Sequence, residues 1–296
     1  MDAELLKRPR LFLTKLLRRY TLKHGSRGIR NYIRNSGRKW CVDDELKVPT
    51  SQGFWMRASP KDYATYGIYF FGNYDLSMTS VFSHLIKPGD TVWDIGTERG
   101  WFTLQMAMLV GANGRVDSFE AFPPTVEKLK ANVDLNNFHH VHVNGVAVCD
   151  VNSKMWFVPP SNNVTNNISF LDHCNGIGYL TVSQESGAIE VNTINLNDYY
   201  ESEKIQKVSL MKIDIEGAEV SALKGADKLI RKDKPVIAIE YNRQTALRGG
   251  SSVEELNELI LSYNYKLFLF EKKFVPFDLS MHTSEDVVLN VYCFPN

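Results

Sequence analysis

Short apolar runs, punctuated by glycine and proline, divide most of this chain into alternating strands and helices. An aromatic stretch, YATYGIYFFGNY, and a helix near Ser77 to Ile86 precede the break at Pro88-Gly89-Asp90. Thr91 to Ile95 then reads as a buried strand. A helix beginning near Gly100 ends by Gly111 to Gly114, and Arg115 to Glu120 is the next strand. Pro123 and Pro124 suit a helix start, because a proline there gives up no amide bond that the helix uses. That helix runs through Leu135, and a strand follows around Val141 to Val148. Residues 159 to 188, rich in Asn, Ser and Gly, lose all periodicity and read as a loop or small insertion of the kind that covers a substrate site. Strands resume at Glu190 to Ile194, Val208 to Ile213 and Val236 to Glu240, with a helix over Ala218 to Arg231. Ser251 and Ser252 offer a capping hydroxyl to one more helix, and Lys266 to Glu271 and Asp286 to Cys293 close the pattern as terminal strands. Buried strands separated by helices predict an α/β chain with a mostly parallel sheet.

Composition adds compartment and charge. Of 296 residues, 44% are hydrophobic, enough for a large core. The pattern divides the chain into a basic extension over 1–39, a region over 40–90 with a possible part in substrate recognition, and a core over 91–296. The net charge of zero hides an asymmetry: residues 1–39 hold 12 Lys or Arg against two acids, so the extension carries +10 and the remainder −10. Leu5, Leu6, Leu11, Phe12, Leu13, Leu16 and Leu17 interrupt those basic side chains. Such a segment suits packing on an acidic domain or contact with an anionic membrane surface. Pro9 argues against one continuous helix from residue 5 onward. No apolar run approaches the 18 residues of a membrane span. Cys41, Cys149, Cys174 and Cys293 form no close pair, which points to a reducing, cytoplasmic compartment, with peripheral membrane placement left to the extension. Nucleic acid is disfavoured as a partner, since no base-recognition motif accompanies the positive charge.

The candidate chemistry lies at strand ends. In TVWDIGTERGWFT a strand enters a turn with Gly96 and Gly100, where small residues let the backbone pass close beneath a ligand, and Asp94 is placed to anchor the turn. The next strand ends on Glu120, whose carboxylate suits two ribose hydroxyls. A phosphate-binding GxxxxGK[ST] loop is absent. Asp94 and Glu98 would repel a diphosphate, which favours S-adenosylmethionine, a sulfonium cofactor without phosphate, over a nicotinamide dinucleotide and the oxidoreductase reading that goes with it. A second acidic strand end, VSLMKIDIEGAEV, places Asp214 and Glu216 in the same crevice. Both suit a general base for an alcohol, Asp214 first and Glu216 second. Magnesium held by these acids is an alternative. Of the histidines, only His140 and His142 share a strand face, so no metal site is assigned.

Together, GNYD (72–75), WDIGTERGWFT, SFEAFPP, LKANVDLN and MKIDIEGAEVSALKGA resemble the FkbM-type family of S-adenosylmethionine-dependent methyltransferases over about residues 65 to 240. The resemblance implies a Rossmann-like class I methyltransferase, a mixed, mostly parallel seven-stranded sheet flanked by helices in the order 3-2-1-4-5-7-6. It also implies O-methylation of a hydroxylated small molecule, sugar or glycan. Asp94, Gly96, Thr97 and Gly100 fall in its first cofactor loop, Glu120 at its ribose-binding strand end, and Asn132, Asn144 and Ala147 at recurrent positions beyond. Asp214 and Glu216 fall in its acidic motif, and Tyr74 and Asp75 of GNYD are the expected substrate contacts. Thr97-Glu98 departs from the small residue and Asn commoner in that loop. If position 98 needs a left-handed backbone, Glu has less freedom than Gly or Asn, which keeps open a degenerate protein that binds cofactor or a partner without catalysis.

Overall fold

A computed structural model describes residues 3–24, 27–35, 41–42, 44–62, 64–159 and 178–296. The chain divides into two units, residues 1–79 with 135–137 and residues 80–134 with 138–296.

In the first unit, α1 (Ala3–His24) and α2 (Arg27–Asn35) precede an antiparallel hairpin, β1 (Leu46–Pro49) and β2 (Trp55–Ala58), and α3 (Tyr66–Phe71). α4 (Leu76–Leu85) begins in this unit and ends in the second. The helix over Ala3–His24 passes through Pro9, which corrects the expected break. A proline there forfeits one amide bond, to the carbonyl of Leu5. The turns after it are held from outside the helix: Arg18 donates to the carbonyls of Tyr69 and Pro49, and the Thr21 hydroxyl to that of Phe70. The aromatic stretch resolves into α3, which buries Ile68, Tyr69 and Phe70 and stops at Gly72 in a left-handed conformation.

The second unit alternates strand and helix. It runs β3 (Thr91–Ile95), α5 (Trp101–Val110), β4 (Arg115–Phe119), α6 (Pro123–Asp134), β5 (Val141–Asn144), β6 (Ala147–Val148), β7 (Lys154–Val158), β8 (Tyr179–Thr181) and β9 (Ile189–Ile194). Then follow α7 (Leu196–Ser202), β10 (Leu210–Ile213), α8 (Glu219–Gly225), α9 (Asp227–Asp233), β11 (Val236–Asn242), α10 (Arg243–Arg248), α11 (Val253–Ser262), β12 (Tyr265–Phe270), β13 (Phe274–Pro276) and β14 (Val288–Pro295). The main sheet has the order β13-β12-β14-β11-β10-β3-β4-β5, parallel from β11 to β5, with β14 antiparallel to both its neighbours. Without β13 this is the expected order with its antiparallel strand. The sheet has eight strands rather than seven because β13 folds back on β12, where Phe274 packs against Phe268, Phe270, Tyr292 and Phe294.

The expected strand over Val141 to Val148 is two strands in different sheets. β5 stays in the main sheet, and β6 pairs in parallel with β9 in a four-stranded sheet of order β6-β9-β7-β8. β7 ends just before the segment read as irregular and pairs antiparallel with β8, a strand inside that segment. Residues 160–177 of that segment, with most of the loop expected to cover a substrate, lie outside the described residues. The helix expected over Ala218 to Arg231 is divided at Ala226 into α8 and α9. Ser252 is the cap of α11, its hydroxyl accepting from the amide of Glu255 at 3.1 Å.

The core lies around β3, β10 and β11, where Trp93, Ile95, Met211, Ile213, Ile237 and Ile239 are buried. Beside it lies a buried carboxylate. Asp117 of β4 accepts from Trp93 Nε1 at 2.9 Å and from the Tyr199 hydroxyl at 2.7 Å, and pairs with Arg115 at 2.8 Å. A buried carboxylate with this many donors is matched rather than reactive. Among the described residues no helix is long and apolar enough to cross a membrane.

Candidate active site

The loop after β3 is shaped by contacts within the chain. Gly96 has φ 80°, and a Cβ there would stand 1.7 Å from the backbone oxygen of Asp214. Gly100 has φ 88°, and a Cβ there would meet Leu129 Cδ1 at 2.3 Å. The clearance expected beneath a ligand is thus taken up by the end of β10 and by α6. Asp94, expected to anchor the turn, is fully buried and accepts from the Thr103 hydroxyl at 2.6 Å, tying β3 to the first turn of α5. Its Oδ1 has no hydrogen bond and stands 3.6 Å from Lys212 Nζ. Burial raises the Asp94 carboxyl above its ordinary value, against the pull of Lys212.

Glu98 does take a left-handed backbone, φ 49°, and turns its amide onto Glu120 Oε2 at 3.0 Å. The Phe122 amide donates to Oε1 at 2.9 Å. A carboxylate has about four acceptor sites, so each oxygen keeps a lone pair for another donor. Burial pushes Glu120 up to about 7, opposed by the two amides and aided by the charges of Glu98 and Asp94. Thr97 Oγ1, beside it in the loop, is buried without a hydrogen-bond partner. Ala147 is buried in β6 against Phe157 and Val191. Asn132 and Asn144 brace the strand ends, the first donating to the carbonyl of Arg99 and the second to that of Ser118.

The second acidic turn follows β10. Glu216 has φ 57°, and Gly217 has φ 113°, where a Cβ would lie 2.2 Å from the Thr245 carbonyl. Glu219 closes this turn by accepting from the amides of Ile215 and Gly217. Asp214 is partly open to solvent and stands 3.3 Å from Lys212 Nζ. Oxygens of Asp214, Glu216 and Glu240 all lie within 4.8 Å of one another. Oε2 of Glu216 and Oε2 of Glu240 are buried without hydrogen bonds. Burial first, then the neighbouring carboxylates, push Glu216 up to about 8 and hold Glu240 well above the usual carboxylate range.

Tyr74 and Asp75 lie in the first unit. Tyr74 is exposed, and Asp75 accepts from the amide of Met78 at 3.0 Å, capping the start of α4.

Residues 94–267 match the family described as the methyltransferase FkbM domain. The chain belongs to that family. This FkbM domain is 30% identical over 152 residues to Methyltransferase 1 of Beauveria bassiana, an alignment covering 47% of the present chain and 60% of that protein. Methyltransferase FkbM from Methylobacillus flagellatus KT is 17% identical, with 73% of this chain and 50% of that one covered at a TM-score of 0.43. An O-methyltransferase from Bacillus cereus, solved in complex with SAH, is 14% identical, with 76% and 83% covered at a TM-score of 0.45.

Two residues of this FkbM domain's site escaped the sequence reading. Lys212 sits in the middle of the apolar run LMKIDI, yet a charge inside a strand buried on both faces is itself a signal. Its Nζ donates to the Gly96 carbonyl at 3.0 Å and faces both Asp94 and Asp214. Burial alone would lower its pKa, but the two carboxylates outweigh it and hold the ammonium above its ordinary value. Glu240 closes the apolar run IAI inside β11, two residues before the strand ends at Asn242, and the register Ile213 to Ile239 sets it level with Asp214.

Proposed function

We propose that this protein transfers a methyl group from S-adenosylmethionine to a hydroxyl of a small molecule, sugar or glycan. The carrying observation is the cluster of Asp214 and Glu216, just past β10, with Glu240 near the carboxyl end of β11, in which two buried oxygens have no hydrogen-bond partner. Unmatched acids at the carboxyl edge of a parallel sheet stand where ligands of such folds bind. Thr97 Oγ1, orphaned in the first loop, and the open lone pairs of Glu120 support a nucleoside there. The acids at 94, 98 and 120 favour a cofactor without phosphates.

Bound there, S-adenosylmethionine supplies an electrophilic methyl group on a sulfonium cation. Glu120 accepts from ribose hydroxyls, and Thr97 offers a hydroxyl beside it. Asp214, the partly solvent-open member of the cluster, takes the proton of the substrate hydroxyl, while Lys212 at 3.3 Å holds its carboxylate in place. Base catalysis of this kind contributes about 100- to 10,000-fold. Glu216, pushed up to about 8, holds its own proton below that pH and becomes a second acceptor only above it. An oxygen-only donor set also suits Mg2+. Lys212 gives the cluster a counter-charge of its own, which favours proton transfer. Turnover that survives EDTA is expected, and chelator-sensitive turnover restored by Mg2+ would assign the acids to a metal.

The left-handed Glu98 favours a second reading, a degenerate domain that binds cofactor without transferring the methyl group. Labelled-methyl transfer to a panel of hydroxylated metabolites and glycans separates the two, with the label mapped to its atom. Cofactor binding without transfer supports the degenerate reading, and label on nitrogen overturns the oxygen assignment. Asp214→Asn is expected to lower turnover at least about 100-fold with cofactor affinity nearly unchanged. Full turnover in that variant would remove Asp214 as the base.

A further inference from the structure

α1 turns the wrong residues outward for a helix whose environment is only water. Over residues 11–23 its buried positions are Thr14 and Thr21, at 0% and 2% exposure, whereas Phe12, Leu13 and Leu16 are 67%, 52% and 52% exposed. The orientation is fixed by bonds on the inner side. Thr14 Oγ1 accepts from the amide of Val42 at 3.2 Å, the Thr21 hydroxyl donates to the Phe70 carbonyl at 2.9 Å, and Arg18 Nε donates to the Tyr69 carbonyl at 2.7 Å. With about 100° between successive residues, Phe12, Leu13, Leu16 and the half-exposed Tyr20 fall on one outward stripe. Lys15 and Arg19 border it along one edge, Lys23 continues it toward the end of the helix, and residues 11–23 contain no acid.

We propose that this outward face of α1 is a docking surface for an anionic lipid bilayer. Apolar side chains would enter the headgroup boundary while the bordering cations meet the lipid phosphates and carboxylates. Charge complementarity selects this occupant over a symmetric pair of copies, in which two acid-free basic stretches, residues 11–23 of each, would meet.

The test is co-sedimentation of the full chain with vesicles of phosphatidylcholine and phosphatidylserine in about 7:3 proportion, and with phosphatidylcholine alone. Binding to the mixed vesicles, weaker by at least about tenfold on neutral ones and reduced on going from about 0.1 M to about 0.5 M salt, is expected. The double variant Phe12→Ser, Leu16→Ser should lose at least about tenfold in partitioning, with thermal unfolding unchanged because both side chains are exposed. Lys15→Glu with Arg19→Glu should lose binding to the anionic vesicles alone. No binding of the wild-type chain, or equal binding by the serine variant, overturns the proposal. So does a concentration-dependent dimer that the serine substitutions abolish, since that would give the face to a second copy.

Discussion

A lysine inside a parallel strand is costly unless its charge is matched, and removing the match from a buried pair costs about 3–5 kcal/mol. Lys212 meets the condition with Asp94 on one side, Asp214 on the other and the Gly96 carbonyl between them. Its charge lets acids from β3 and β10 come together at one sheet edge. At Glu216 the pull of Lys212 is outweighed by burial and by the neighbouring carboxylates. Its carboxyl, pushed up to about 8, keeps its proton in the folded chain at pH values where the unfolded chain, near 4.5, has lost it. The folded state then binds more protons than the unfolded one, so stability falls as pH rises between these values. Glu216→Gln has no proton to lose. Its stabilisation over the wild type should grow from about pH 5 to about pH 8 and level off above. Thermal unfolding across that range checks it, and a difference independent of pH would mean that Glu216 is not held in the neutral form.

At the scale of elements, two tight turns bring the strand ends together, and both place a glutamate in a left-handed backbone. A non-glycine residue in that region costs about 1–3 kcal/mol when the surroundings enforce it. The turn at Glu98 is enforced by its amide bond to Glu120, and asparagine tolerates the conformation better than glutamate. Glu98→Asn is therefore expected to stabilise the protein by about 1 kcal/mol. It also removes a negative charge that helps raise Glu120, so the Glu120 pKa should fall below about 7. Calorimetry and a carboxyl titration followed by NMR read the two effects separately. A less stable variant would show that the Glu98 side chain contributes more than its backbone costs. The legible and illegible elements differ for a physical reason. β3, α5, β4 and α6 were plain in the sequence because each buries its own apolar pattern. β6 and β13 were not, since strands this short are held by partners far along the chain, β9 for one and an aromatic cluster for the other.

At the scale of the whole molecule, a ligand that binds only the folded chain stabilises it in proportion to its affinity and concentration, about 2.7 kcal/mol at 100 times Kd. S-adenosylmethionine at that excess should raise the melting temperature, and NADH at the same concentration should leave it unchanged. The reverse pattern would favour the oxidoreductase reading set aside on the charges of Asp94 and Glu98. The strand order needs no such test. Five adjacent parallel strands with the last strand inserted antiparallel beside β11 place Glu120 and Asp214 at carboxyl ends of the same sheet, with Glu240 two residues before the end of β11.

The sequence by itself determined the α/β alternation, the membership carried by WDIGTERG, SFE and MKIDIEGAEV, and the acids Glu120, Asp214 and Glu216 as candidates. These follow from local periodicity and from chemistry written at strand ends, which need only neighbours in sequence. Tertiary structure alone decided that Gly96 makes room for the Asp214 backbone, that Lys212 is the counter-charge and that Glu240 completes the acidic cluster. It also decided that α1 hides Thr14 and Thr21 and shows Phe12, Leu13 and Leu16. Each of these depends on which distant segment arrives opposite a residue, and no periodicity encodes that.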